Sequence, residues 1–355
     1  MPGFRAFHRF SMTYKKKISL KDIAKKAGVS TALVSYVLNG KEKESRVGIA
    51  MTEKIRKIAQ DLKYKPNYVA KSLRSGKTLT IGLIIADIAN PFFANIARVV
   101  EDQAKKSGYT VLIGSSDEKP ENFKDLINVF VNRQVDGLII VCTEKSSKQI
   151  RILQEKNYPF VLLDRYFPEL DTDYVSIDSH QASFSATDHL LKNGFHKIGF
   201  IGYESELFHM QERKRGVISA LEEAGIQPKE AWFKDIGFDK VETDMKNAMN
   251  EMLRAEDPVH AVVFGTYRLA INGLKYIRQL KIKIPQQLAI VSYGQAESFE
   301  LYECPITYLE QPLGELGRKA VELLISKLHD PQRQSQRILM ETKLKIGESS
   351  KLPHP

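Results

Sequence analysis

The chain is poor in the features that mark several protein classes. Its 355 residues contain two cysteines, Cys142 and Cys304, far apart and without metal-type spacing. That excludes a disulfide framework and a cysteine zinc site, and both read as reduced thiols. No apolar run approaches the roughly 18–20 residues of a membrane span. The opening MPGFRAFHRFSMTYKKK is basic but has no continuous apolar segment, so it does not read as a secretory signal. A cytoplasmic protein that does not enter the membrane is expected. The eight histidines are scattered. There is no Walker-type loop, no G-x-G-x-x-G after a strand and no nucleophile elbow. Neither an enzyme nor a cofactor is expected. The tail GESSKLPHP has no heptad pattern, which argues against a tetramer-forming coiled coil and for a homodimer.

Acidic residues are scarce at one end. Residues 1–78 hold 19 Lys+Arg against 5 Asp+Glu, leaving 34 of 53 and 38 of 43 for the rest. The start therefore carries net +14 and the remainder net −4. This distribution fits a phosphate-binding head on a near-neutral body.

Within the basic segment, Ile18 to Gly40 reads as two short helices around a tight turn. Leu20, Ile23 and Ala24 give the first an apolar face. Ala27-Gly28-Val29 breaks it, and Gly28 supplies the backbone freedom of a sharp turn. Ser30 suits an N-cap for the second helix. Val34, Val37 and Leu38 face inward at i, i+3, i+4. Thr31, Ala32, Ser35, Tyr36 and Asn39 form a small, polar opposite face that suits the DNA major groove. A plain helical hairpin is the alternative. A third helix is expected from Ile49 to Leu62, starting at Gly48.

The stretch KDIAKKAGVSTALVSYVLNG resembles the headpiece of the lactose/galactose repressor (LacI/GalR) family, D-V-A-x-x-A-G-V-S-x-x-T-V-S-R-V-L-N-G. Leu33 replaces the usual threonine and Tyr36 the usual arginine. The resemblance implies a double-stranded, near-palindromic operator and repression. Thr31, Ala32 and Tyr36 would face base edges, with Ser30, Ser35 and Asn39 on phosphates. Asn67 to Arg74, after Pro66, would be a hinge helix that orders on DNA. There Asn67 and Lys71 would meet the operator, Val69 and Ala70 would make the hinge-to-hinge contact, and Leu73 would wedge into the minor groove. A plain linker is the other reading.

From Leu79 onward, strand and helix alternate in two series, which implies an α/β, doubly wound parallel sheet repeated in two lobes. The family likeness continues through NPFF at Asn90–Phe93, LLDR at Leu162–Arg165 and ERKRG at Glu212–Gly216. It implies a core like the periplasmic sugar-binding proteins, holding a small effector in its cleft. The expected organisation is a basic tail (1–17), an all-α helix-turn-helix headpiece (18–65), hinge and linker (66–78) and core (79–350). Lobe 1 would span 79–175 and 306–334, and lobe 2 would span 176–305 and 335–350.

In such sheets ligands bind beyond the carboxyl ends of strands. Phe92, Phe93 and Asp164 are candidates by that rule; the resemblance implies Arg213, Phe238 and Gln311 at the family's pocket positions, with Tyr267 and Tyr293 as added aromatic surface. Two family motifs are altered. N-D-x-x-A becomes Thr266-Tyr267-Arg268-Leu269-Ala270, and G-[FY]-D-[DN] becomes Ser292-Tyr293-Gly294-Gln295. The second change removes the aspartate that commonly holds effector hydroxyls. A sugar-related effector held by other groups, such as Asp164, Gln295 and Glu297, is one expectation. A regulator that answers to no sugar, or to no ligand, is the other.

Overall fold

The structure, a computed structural model, describes residues 18–64 and 76–351. Contacts divide the chain into two units between Gly76 and Lys77. In the first unit, α1 (Leu20–Ala27), α2 (Thr31–Leu38) and α3 (Ile49–Asp61) enclose one small core. Ile23, Ala24, Ala27, Val34, Val37, Ile55 and Ala59 fill it. The Asp22 carboxylate caps α1 in reverse, accepting from the Ser19 N–H at 2.8 Å and the Ser19 hydroxyl at 2.7 Å. Gly28 adopts φ 74°, the left-handed conformation the turn requires. Ser30 Oγ accepts from the Leu33 N–H at 3.2 Å and starts α2. Gly48 precedes α3 without any side-chain cap.

The second unit contains two six-stranded sheets. The first has β1 (Thr80–Ile85), β2 (Thr110–Ser115), β3 (Gly137–Ile140), β4 (Phe160–Leu163), β5 (Tyr174–Ile177) and β11 (Arg337–Met340). Their order is β11-β5-β4-β3-β1-β2, all parallel. The second has β6 (Ile198–Tyr203), β7 (Phe233–Ile236), β8 (Ala261–Phe264), β9 (Ala289–Tyr293), β10 (Thr307–Glu310) and β12 (Lys343–Lys345). Its order is β12-β10-β9-β8-β6-β7, and only β12 runs antiparallel. Ile81, Leu83 and Ile85 pack into one cluster and Ile84 into another. A parallel strand buried on both faces needs that continuous apolar run.

In the first lobe, α4 (Pro91–Lys106) and α11 (Leu313–His329) cover one face. There α5 (Pro120–Asn132) and α6 (Ser147–Glu155) cover the other. In the second lobe, α7 (Ser179–Lys192) packs on α8 (Phe208–Glu223), and α9 (Val241–Arg254) and α10 (Tyr267–Gln279) lie opposite. The α7–α8 approach depends on Gly216. A Cβ there would stand 2.2 Å from the His180 carbonyl oxygen.

The expected lobe division needs correcting at its return segments. Residues 307–310 were assigned to lobe 1 but form β10, paired with β9 in the second sheet. Residues 337–340 were assigned to lobe 2 but form β11, paired with β5 in the first. All of β5 belongs to the first sheet. The chain therefore passes between lobes after β5, after β10 and between β11 and β12. Alternation of strand and helix shows where strands stand, but not which sheet a returning strand joins. Among the described residues no helix is long and apolar enough to cross a membrane.

Candidate functional site

Two surfaces carry the candidate residues, one on each unit. On the headpiece, Ser30, Thr31, Ala32, Tyr36 and Asn39 are exposed, and Tyr36 keeps 46% of its surface. Ser35 is a correction to the expected polar face. It is buried, and the Asn39 side chain donates to its carbonyl at 2.7 Å and its hydroxyl at 3.2 Å. Ser35 sits mid-helix, about 100° round from the buried Val34, on the side that turns toward the headpiece interior. Leu33 is half-buried against the headpiece core, so this departure lies beside the exposed face. Asn67, Val69, Ala70, Lys71 and Leu73 lie outside the described residues.

The second surface is a cavity between the lobes, of about 700 Å³ including its open mouth. All eight core candidates line it: Phe92, Phe93, Asp164, Arg213, Phe238, Tyr267, Tyr293 and Gln311. All but Arg213, which stands on α8, follow a strand end, as the parallel sheets dictate. Asn90 caps α4 after β1, accepting from the Phe92 N–H at 3.0 Å, and this aims Phe92 and Phe93 at the cavity. Asp164 follows β4, Phe238 follows β7, Tyr267 opens α10 after β8, Tyr293 closes β9, and Gln311 follows β10.

The first-lobe wall is charged and internally paired. Arg165 is buried and donates from both terminal nitrogens to Glu118, at 2.6 and 2.7 Å, and to the Cys142 carbonyl at 3.0 Å. Its Nε stands 3.7 Å from Asp164. Burial pushes the Asp164 carboxyl up, against the opposing pull of Arg165 and Arg213. In the second-lobe wall, Arg213 donates to the Gly265 carbonyl at 2.8 Å and stacks 3.7 Å from the centre of the Tyr293 ring. Phe238 stacks on Tyr203, with ring centres 4.1 Å apart.

Sequence reasoning missed His209 and Tyr203, which also line the cavity. His209 stands one turn before Arg213 on α8, and that i, i+4 spacing from a cleft arginine was its available signal. It is buried, and its Nδ1 has no hydrogen-bond partner. Burial holds its pKa well below the usual imidazole value, and Arg213 and Arg165 add to this, so the ring is neutral at pH 7. Gln295 and Glu297, expected as alternative sugar contacts, are exposed and line a neighbouring cavity. They follow the left-handed turn at Gly294, which carries them away from the main cavity.

The mouth is bridged across the lobes. Tyr267 Oη donates to Asn90 Oδ1 at 2.6 Å, and Arg268 Nη1 to Asp87 Oδ2 at 3.2 Å. Glu144 accepts from the Ser205 hydroxyl at 2.5 Å and the Glu206 N–H at 3.2 Å. Thus the altered segment Thr266–Arg268 supplies bridging contacts where the family pattern has Asn-Asp.

Comparison with known proteins adds to this geometry. Residues 19–67 match the model for bacterial regulatory proteins, lacI family, and residues 187–350 match that for a periplasmic binding protein-like domain. The chain is 32% identical over 332 residues to the ribose operon repressor of Haemophilus influenzae, covering 93% of this chain and 98% of the relative. It is 30% identical over 335 residues to the HTH-type transcriptional repressor PurR of Photobacterium profundum, covering 94% and 98%. Among solved structures, the lac repressor dimer bound to operator and the anti-inducer ONPF aligns with a TM-score of 0.84 at 20% identity, covering 95% of this chain and all of that one. A CelR–cellobiose complex aligns at 0.70 and 25% identity, covering 94% and 100%.

Proposed function

The chain belongs to the lacI family of bacterial regulatory proteins, and from that premise we propose how its own residues serve a DNA-binding transcriptional regulator with a ligand-binding core. The regulator is a cytoplasmic homodimer. Each headpiece sets α2 in a major groove, with Thr31, Ala32 and Tyr36 at base edges and Ser30 and Asn39 on phosphates. Segment 66–75 joins the centre of the operator, where Leu73 acts as the wedge. The interlobe cavity binds a small sugar-related effector and carries out no catalysis. Its occupancy shifts the balance between lobe arrangements and so operator affinity, a coupling of about 1–3 kcal/mol in typical allostery.

One observation carries this reading. Eight residues scattered from position 92 to 311 in the sequence converge on one interlobe cavity. The polar atoms there are arranged for a ligand. Asp164 has no hydrogen bond to its carboxylate among the described residues, and Gln311 Oε1 is buried without a partner. Both suit hydroxyl donors of a sugar-like compound, and Phe92 and the Phe238–Tyr203 stack suit its apolar face.

The test is binding of the purified full-length protein to fragmented genomic DNA, repeated with sugars, sugar phosphates and nucleobases. A near-palindromic motif whose occupancy changes with one compound is the expected result. A motif that responds to no compound supports the ligand-independent alternative, and no motif at all overturns the headpiece assignment.

A further inference from the structure

Arg213 is the most exceptional charge in the cavity. It is 6% exposed, and no carboxylate of the described residues lies within 4.0 Å of its nitrogens. Its protein partners are the Gly265 carbonyl at 2.8 Å, the Met210 sulfur at 3.7 Å and the Tyr293 ring. Its Nε is buried and makes no hydrogen bond. A desolvated guanidinium with one carbonyl and a ring face is under-compensated, because neither group carries a formal negative charge.

The neighbouring residues account for the missing partner. Where the family pattern has an aspartate, this chain has Gly294 at φ 90°. A side chain there would begin 3.1 Å from Gln311 Nε2, so a neutral amide occupies the approach. The charged lining residues are Arg165, Arg213 and Arg268 against Glu118 and Asp164. Arg165 is neutralised by Glu118, and Arg268 by Asp87 outside the lining. That leaves Arg213 facing Asp164. Burial also moves the Asp164 carboxyl toward its neutral form, which lessens its repulsion of an incoming anion.

Building on the reading of this cavity as the effector site, we infer that the effector carries an anionic oxygen group, phosphate or carboxylate, held by the free edge of Arg213. The rest of the ligand is polyhydroxylated, with hydroxyls donating to Gln311 Oε1 and Asp164. A sugar phosphate or a sugar acid meets both requirements, and a neutral sugar meets only the second. Guanidinium suits either group because its planar fork matches carboxylate and phosphate oxygens alike.

The experiment is calorimetry on the full-length protein with matched ligands at fixed pH and salt. The probes are D-glucose, D-glucose 6-phosphate and D-gluconate, then D-ribose, D-ribose 5-phosphate and D-ribonate, with inorganic phosphate as control. One anionic compound should bind at least about tenfold tighter than its neutral parent, as a charge-assisted hydrogen bond allows. Which anion prevails separates phosphate from carboxylate. Arg213→Gln should bring the ratio close to one, and Arg213→Lys should keep part of it. If Arg213→Gln does not fold, the ratio in the unsubstituted protein decides alone. A neutral sugar that binds more tightly than its charged forms overturns the inference and leaves the effector cavity standing. Anion binding unchanged in Arg213→Gln, or equalled by inorganic phosphate and lost on adding DNA, places the anion on the basic headpiece and also overturns it. No binding of any probe, with operator affinity constant throughout, removes the inference and the effector reading together.

Discussion

The headpiece and the interlobe cavity display their candidate residues in opposite ways. On the headpiece, Thr31, Ala32 and Tyr36 are exposed and contribute nothing to the core beneath them. Their chemistry can change without disturbing the fold. In the cavity, Phe93, Asp164, Arg213 and Tyr293 are buried, so each combines a packing role with a ligand role. A substitution on α2 should therefore separate affinity from stability. A substitution in the cavity should mix them, least so where the residue has no carboxylate partner among the described residues, as for Arg213.

The largest expected effect tests this within the cavity. Arg165→Met breaks a buried pair and strands Glu118, which should lower stability by about 3–5 kcal/mol. Arg213→Met strands no carboxylate but gives up the Gly265 carbonyl bond and the Tyr293 stack, so it should cost less, about 1–3 kcal/mol. Urea unfolding of both variants measures the difference. Equal losses would mean that Arg213 is as structural as Arg165.

The next effect belongs to the headpiece. Tyr36→Ala should weaken specific operator binding by about 1–3 kcal/mol, the scale of a lost base contact. Stability should change by no more than about 0.5 kcal/mol, as for an exposed position. Titrations on operator and unrelated DNA, beside thermal melts, separate the two quantities. A matching loss on unrelated DNA would make Tyr36 a phosphate contact instead.

A smaller effect follows from His209. Its folded pKa lies below that of the unfolded chain, so the unfolded state binds more protons near and below pH 6.5. Stability from keeping this ring neutral is fully present above the unfolded pKa near 6.5. It is lost progressively as pH falls below that value. His209→Gln should flatten the decline between about pH 6.5 and 5. Chemical denaturation at several pH values checks it, and an unchanged slope in the variant would exclude His209 as the source.

How much of this was legible follows the same division. Gly28, Ser30 and the i, i+3, i+4 apolar positions act through local geometry, so the headpiece helices could be placed from sequence. Ser35 could not, because its burial depends on which side of α2 meets the other helices. The core candidates were legible through family motifs, and β10 and β11 exchanged sheets because the partner of a returning strand is set by tertiary packing and leaves no local mark. Strand β7 was missed since FKDI is half-buried at a sheet edge and lacks the apolar run of β1 or β3. The state of Arg213 was not legible at all. A missing partner is a property of everything around a side chain, and Gly294 alone did not show that Gln311 fills the space.

The smallest effect concerns the bridged mouth, where the two kinds of region meet in one feature. Arg268 and Asp87 are joined at 3.2 Å, with side chains 51% and 24% exposed. An ion pair so open to water contributes roughly 0–1 kcal/mol, and less as salt rises. The Tyr267–Asn90 hydrogen bond is half-buried and should add about 0.5–1.5 kcal/mol. Both contacts form only when the lobes are together, so their loss acts on lobe closure more than on the folding of either lobe. Arg268→Ala with Tyr267→Phe should thus leave the unfolding midpoint within about 2 °C, while solution scattering shows a larger radius of gyration. The bound effector adds contacts to both walls and should restore the compact value. An effector-free radius that does not respond to the double substitution would show that the three chain passages between the lobes alone fix the lobe angle, and that Tyr267 and Arg268 act on the ligand rather than on closure.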